Sequence, residues 1–78
     1  MLSTNIKIIN AEYGTLQYKA DVTNIVKNLH DTFKVSNENM GCDPLPGIIK
    51  TLYIHYIKNN VEYNVEFREH SVVIVDKN

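Results

Sequence analysis

GCDPLPGIIKTLYIHY, residues 41–56, holds both prolines and two of the three glycines of this 78-residue chain. Pro44 and Pro46 fix φ and lack an N–H, and Gly41 and Gly47 admit conformations closed to other residues, so the first half is a shaped, non-helical loop. The second half changes character. Residues 48–57 are β-branched and aromatic, and a strand is expected to follow the loop at once. Just beyond it, Asn59-Asn60 has the chemistry of a two-residue turn with both φ values positive, which Asn tolerates best after Gly. Such a turn fixes a register. Leu52 faces Phe67, Ile54 faces Val65 and Tyr56 faces Tyr63 on one side, while Tyr53 faces Glu66, His55 faces Asn64 and Ile57 faces Glu62 on the other. The first face is uniformly apolar, and a slip of one residue would bring Glu and Asn against it. Turn and pattern therefore agree on a hairpin whose core-facing side supplies most of the expected interior.

Toward the C-terminus, Arg68-Glu69-His70-Ser71 predicts a turn and residues 72–75 a last strand. Its continuous apolar run is expected to be buried on both faces or paired at an interface. Toward the N-terminus, residues 36–39 form a polar run leading into the loop, and residues 32–36 a brief strand through Phe33 and Val35. Val22, Ile25, Val26 and Leu29 have the i, i+3, i+4, i+7 spacing of one helical face. They predict a short helix over 22–30, capped by Asp21 or Thr23 and ended by His30. Residues 5–12 predict the first strand, Glu12-Tyr13-Gly14-Thr15 a turn, and the alternation of Leu16, Tyr18 and Ala20 a half-buried second strand.

Composition narrows the function. A chain of 78 residues is one domain, and at that size only about 60% of the unfolded surface is buried, so self-association would help it. Eight basic against nine acidic residues, with no basic run, lack the electrostatic footprint of a nucleic-acid binder. No stretch approaches a membrane span, and the N-terminus lacks the pattern of a signal peptide, so no membrane insertion and, by default, cytoplasmic residence are expected. The single Cys42 excludes an internal disulfide and a four-cysteine zinc site but leaves a bridge between chains open.

The candidates for chemistry each have a simpler role. His30, His55 and His70 share no metal-ligand spacing with one another or with Cys42, so no metal or other cofactor is expected. Cys42 lacks the nucleophile's sharp turn and a third orienting group. Asp43, next to Pro44, is expected to accept bonds from backbone N–H groups two residues on. Glu62 and Glu66 fall on the polar strand face, where solvated charges are ordinary. Tyr13, Tyr18, Tyr53, Tyr56 and Tyr63 are conspicuous in a chain without tryptophan. Tyr56 and Tyr63 suit a core-edge pair, which leaves Tyr53, with His55, as the better contact candidate for a glycan or a partner protein. Val73 and Val75 of the last strand are the candidate contacts for assembly.

Three separated motifs, AEYG at residues 11–14, DVTNIV at 21–26 and the 41–56 stretch, match in order and spacing. With them the chain resembles the small β-rich C-terminal domain of the subfamily-C member-eleven J-domain co-chaperones, here without a J domain. That resemblance spans nearly the whole chain. It implies a compact β-sandwich-like module used for interaction or assembly, with no catalytic residues to carry over. Its motif residues suit architecture: Tyr13 and Gly14 at the first turn, Asp21 and Thr23 at the helix start, and Asp43, Pro44, Pro46, Gly47 and Lys50 in a rigid corner. The expectation is a mainly β domain, a small antiparallel β-sandwich of about six strands with one short helix. Its expected role is non-catalytic, as a homo-oligomer or with a protein partner; the alternative is a lectin-like module that binds a glycan.

Overall fold

The computed structural model describes residues 6–29 and 32–74. His30, named as the helix end, and Val75, named as a contact, lie outside the described residues. In chain order the elements are β1 (Ile6–Gly14), β2 (Lys19–Asp21), α1 (Thr23–Asn28), β3 (Thr32–Lys34), α2 (Asn37–Met40), β4 (Thr51–Lys58), β5 (Val61–Arg68) and β6 (Val72–Ile74). The strands form two antiparallel sheets, one of four strands in the order β2-β1-β4-β5 and one pairing β3 with β6. The chain is thus mainly β, as its pattern predicts.

The β4–β5 hairpin has the predicted register at every position. Leu52 faces Phe67, Ile54 faces Val65, Tyr56 faces Tyr63, and Tyr53, His55 and Ile57 face Glu66, Asn64 and Glu62. Asn59 and Asn60 have φ of 53° and 67°, the left-handed pair that matches a two-residue turn to the twist of its strands. The rings of Tyr56 and Tyr63 stack with centroids 5.2 Å apart. The core, however, is not mostly the hairpin. Leu52 and Ile54 of β4 are buried, but β5 contributes only half-buried Val65 and Phe67. Ile8, Ala11, Tyr13, Val22, Val26, Phe33, Val35, Met40 and Val73 complete the interior.

β1 enters this core through an irregularity. Ile8 and Ala11 are both buried although their spacing along the strand is odd, which regular alternation forbids. A bulge between Ile8 and Asn10 inserts Ile9 as an extra residue and restores the inward phase.

Several local expectations are corrected. The first turn is not residues 12–15: β1 runs through Gly14, and Thr15 N–H bonds to Tyr18 O across the actual turn. Consequently Leu16 and Tyr18 are exposed rather than half-buried in a strand, and β2 begins only at Lys19. Helix α1 covers Thr23–Asn28, its N-cap is Val22, and no side chain caps it. Asp21 instead accepts from Thr23 N–H at 2.9 Å and Thr23 Oγ1 at 2.6 Å, while Thr23 Oγ1 accepts Ala11 N–H at 2.9 Å and so ties the helix to β1.

The polar run before the loop is a second helix, α2. Ser36 Oγ caps it by accepting Asn39 N–H, and Gly41 ends it at φ 73°, the left-handed C-terminal position that glycine fits. The strand after the loop starts at Thr51, not residue 48, and Ile48 and Ile49 are exposed. β6 is not buried on both faces: Val73 is buried, Val72 is exposed, and the strand pairs with β3. Val73, expected as an assembly contact, is instead part of the chain's own core.

Candidate functional site

The loop of residues 41–50 closes on a buried charge. Lys50 is the one buried charged residue among the described residues. Its Nζ lies 2.9 Å from Asp43 Oδ1 and 3.4 Å from Glu69 Oε1, and it donates to the carbonyls of Ile48 at 2.6 Å and Leu45 at 3.2 Å. Three of the groups that hold it, Asp43, Leu45 and Ile48, come from the loop itself, so the ammonium acts as a staple that gathers the loop around its end. Asp43 is thereby an ion-pair partner of Lys50, in place of the expected bond to backbone N–H groups two residues on. Pro44 and Pro46 shape the connection, and Gly47 stands at φ 81°, a left-handed conformation that glycine adopts without a Cβ clash.

Glu69, expected only as part of the turn at residues 68–71, is the third charged member of the cluster. Its side chain is almost buried, its Oε1 accepts Lys50 N–H at 3.0 Å, and its own N–H donates to Lys50 O at 2.7 Å. A signal was available, because extending the hairpin register one pair past Thr51–Arg68 sets Lys50 opposite Glu69. Tyr13, buried on β1, lies beneath the same cluster with its ring centroid 6.0 Å from Lys50 Nζ, and its O–H donates to Asn37 Oδ1 of α2 at 2.7 Å. The phenol's pKa is pushed up, first by burial and then by the charges of Glu69, Asp43 and Cys42. Burial alone would lower the Lys50 pKa, but the hydrogen bonds and charges of Asp43 and Glu69 outweigh it, and the net shift is upward. Both groups therefore stay protonated, and the cluster is built to hold a charge in place.

The second arrangement is on the opposite, outer face of the four-stranded sheet. A groove of about 250 Å³ is lined by Asn10, Glu12, Lys19, Tyr53, His55 and Glu66, among others. The Lys19 ammonium sits 4.6 Å from the Tyr53 ring centroid and 3.9 Å from Glu12. His55 Nε2 and Glu62 Oε1 are 2.8 Å apart. The structure thus brings Tyr53 and His55 to one groove, as their alternation on β4 predicts.

Cys42 packs against the core cluster and is free. Among the described residues no group of three or more His, Cys, Asp or Glu could hold a metal ion, and no helix is long and apolar enough to cross a membrane.

The third arrangement is an edge. β5 is the last strand of its sheet, eight residues long, and among the described residues no strand pairs with its outer side. Val61 is 51% and Tyr63 40% exposed on the same side of the sheet as the core residues Leu52 and Ile54. Comparison of the chain with models of known families, with curated proteins and with solved structures finds no match.

Proposed function

We propose that the chain is a non-catalytic, structural module that works by protein–protein interaction, with self-assembly as its principal use. The observation that carries this reading is the outer edge of β5, which pairs with no strand among the described residues. An eight-residue strand with open N–H and C=O groups and adjoining exposed apolar side chains is a template for another strand. Size favours the same reading, since a domain this small leaves much apolar surface uncovered unless it pairs. The resemblance to a co-chaperone's β-rich C-terminal domain supports a module of this kind. The carboxylates on the outer face, at Glu12, Asp21, Glu62 and Glu66, favour a protein over the phosphates of nucleic acid. Size-exclusion chromatography with light scattering over a dilution series tests the proposal. A concentration-dependent oligomer is expected, and a species that stays monomeric at the highest concentration would overturn it.

A second reading, a lectin-like module, is favoured by the groove that gathers Tyr53, His55 and Asn10. It ranks lower because Lys19 already covers the Tyr53 ring at 4.6 Å, the position a sugar would take in stacking. Binding on a glycan array that survives Lys19→Ala and is lost in Tyr53→Ala would reverse the ranking.

A further inference from the structure

We propose that the partner at this edge is a second copy of the chain, added antiparallel to β5 about a two-fold axis through Val65, so that the four-stranded sheets of two protomers become one. The inference rests on the assembly reading and specifies its geometry.

Backbone bonding defines the free edge. Glu69 N–H donates to Lys50 O, so the odd-numbered residues of β5 bond to β4 and the even-numbered ones turn their backbone groups away from it. Glu62, Asn64, Glu66 and Arg68 therefore present the open edge. Beyond Arg68 that edge is taken, because His70 N–H donates to Val35 O at 2.7 Å; Arg68 O accepts from Ser71 N–H at 3.0 Å, which leaves the second lone pair of that carbonyl for a partner strand. The usable edge runs from residue 62 to residue 68, and its midpoint is Val65. The strand has no proline, glycine or bulge to obstruct pairing, and its register with β4 is unbroken, so none of those guards protects it.

Charge selects the same register. With the axis at Val65, Glu62 lies opposite the partner's Arg68 and Asn64 opposite the partner's Glu66, each twice by symmetry. On the other face Val65 meets the partner's Val65, and Tyr63 meets the partner's Phe67. Moving the axis to Asn64 sets Glu62 against the partner's Glu66, and moving it to Glu66 sets that carboxylate against itself. Both alternatives place like charges directly opposite, which is destabilising. Arg68 has no ion pair among the described residues, so the pairing would complete a charge that the single chain leaves open.

The test uses Cys42→Ser as background. Val65→Cys places two thiols at a non-hydrogen-bonded pair on the axis, where Cα atoms approach to about 4.5 Å, within disulfide range. Mild oxidation is expected to give a covalent dimer. Tyr63→Cys should give none, because its symmetry mate lies four residues away along the ladder, roughly 13 Å. Independently, Glu62→Arg is expected to weaken the dimer about tenfold, and Glu62→Arg with Arg68→Glu to restore it. An oligomer by light scattering that shows neither the cross-link in Val65→Cys nor the charge rescue overturns this geometry and leaves the assembly reading standing. A monomer at every concentration overturns both.

Discussion

Lys50 and Glu69 are joined three times: Lys50 N–H donates to Glu69 Oε1 at 3.0 Å, Glu69 N–H donates to Lys50 O at 2.7 Å, and Lys50 Nζ lies 3.4 Å from Glu69 Oε1. The pair locks the start of β4 to the end of β5 and fastens the loop to both. Removing the ammonium would leave the nearly buried Glu69 carboxylate without its countercharge. Lys50→Ala is expected to cost about 3–5 kcal/mol, a large share of the total stability of a domain this size. Asp43→Asn, at a carboxylate 37% exposed, should cost about 1 kcal/mol or less. Lys50→Met combined with Glu69→Gln should recover much of the loss, since no buried charge is then unpaired. Urea unfolding of the variants checks the order.

The same cluster predicts loss of stability in alkali. Tyr13 and Lys50 both hold their protons more tightly folded than unfolded, so their contribution is complete below the ordinary values of 10.0 and 10.5 and declines as pH rises past them. Unfolding free energy measured from pH 8 to 11 should be flat at first and fall beyond about pH 10. Tyr13→Phe should be less stable at neutral pH by about 1–2 kcal/mol, because Asn37 Oδ1 loses its donor, and its alkaline decline should be shallower. Equal slopes in the two proteins would show that Tyr13 does not contribute.

Gly14 and Gly47 should respond differently to alanine. A Cβ at Gly14 would stand 2.1 Å from Tyr18 O and 2.9 Å from Lys19 Cα, both backbone atoms that cannot move without breaking the β1–β2 pairing. Gly14→Ala is expected to cost more than about 2 kcal/mol. A Cβ at Gly47 meets nothing within 4 Å, so only the φ of 81° opposes it, at about 1–2 kcal/mol. Thermal melts of the two variants should preserve that order.

The hairpin turn offers a gain instead. Asn60 has φ 67°, and glycine takes that conformation without penalty, giving the most favoured two-residue turn. Asn60→Gly relieves the left-handed penalty, at most about 1 kcal/mol for Asn, against the greater freedom of the unfolded chain, so a net gain of a few tenths of a kcal/mol is expected, about a degree or two in Tm. Asn60→Val should lower it by about 1–2 kcal/mol.

By itself the sequence determined the hairpin. Its register depends on a two-residue period and a local Asn-Asn turn, and both are written in residues 50–68 without reference to the rest of the chain. The mainly β class, the burial of Val22 and Val26 at the short helix, and the turn at residues 68–71 were legible for the same reason, whereas Ile25 of the same predicted face is exposed and Val22 and Leu29 cap the helix rather than lie within it. Only the tertiary structure decided what depends on distant neighbours. The bulge at Ile9 appears because Ile8 and Ala11 must both face the core. The helix at Asn37–Met40 forms from a polar run because Ser36 and Gly41 cap it and Met40 has a core to enter. Exposure of Leu16 and Tyr18 follows from where β2 begins. The corner of residues 41–50 was legible as rigid, but proline and glycine specify only that the chain bends. What holds the bend is an ammonium buried between Asp43 and Glu69, residues 26 positions apart in the sequence. They meet because the hairpin brings the end of β5 back to the loop.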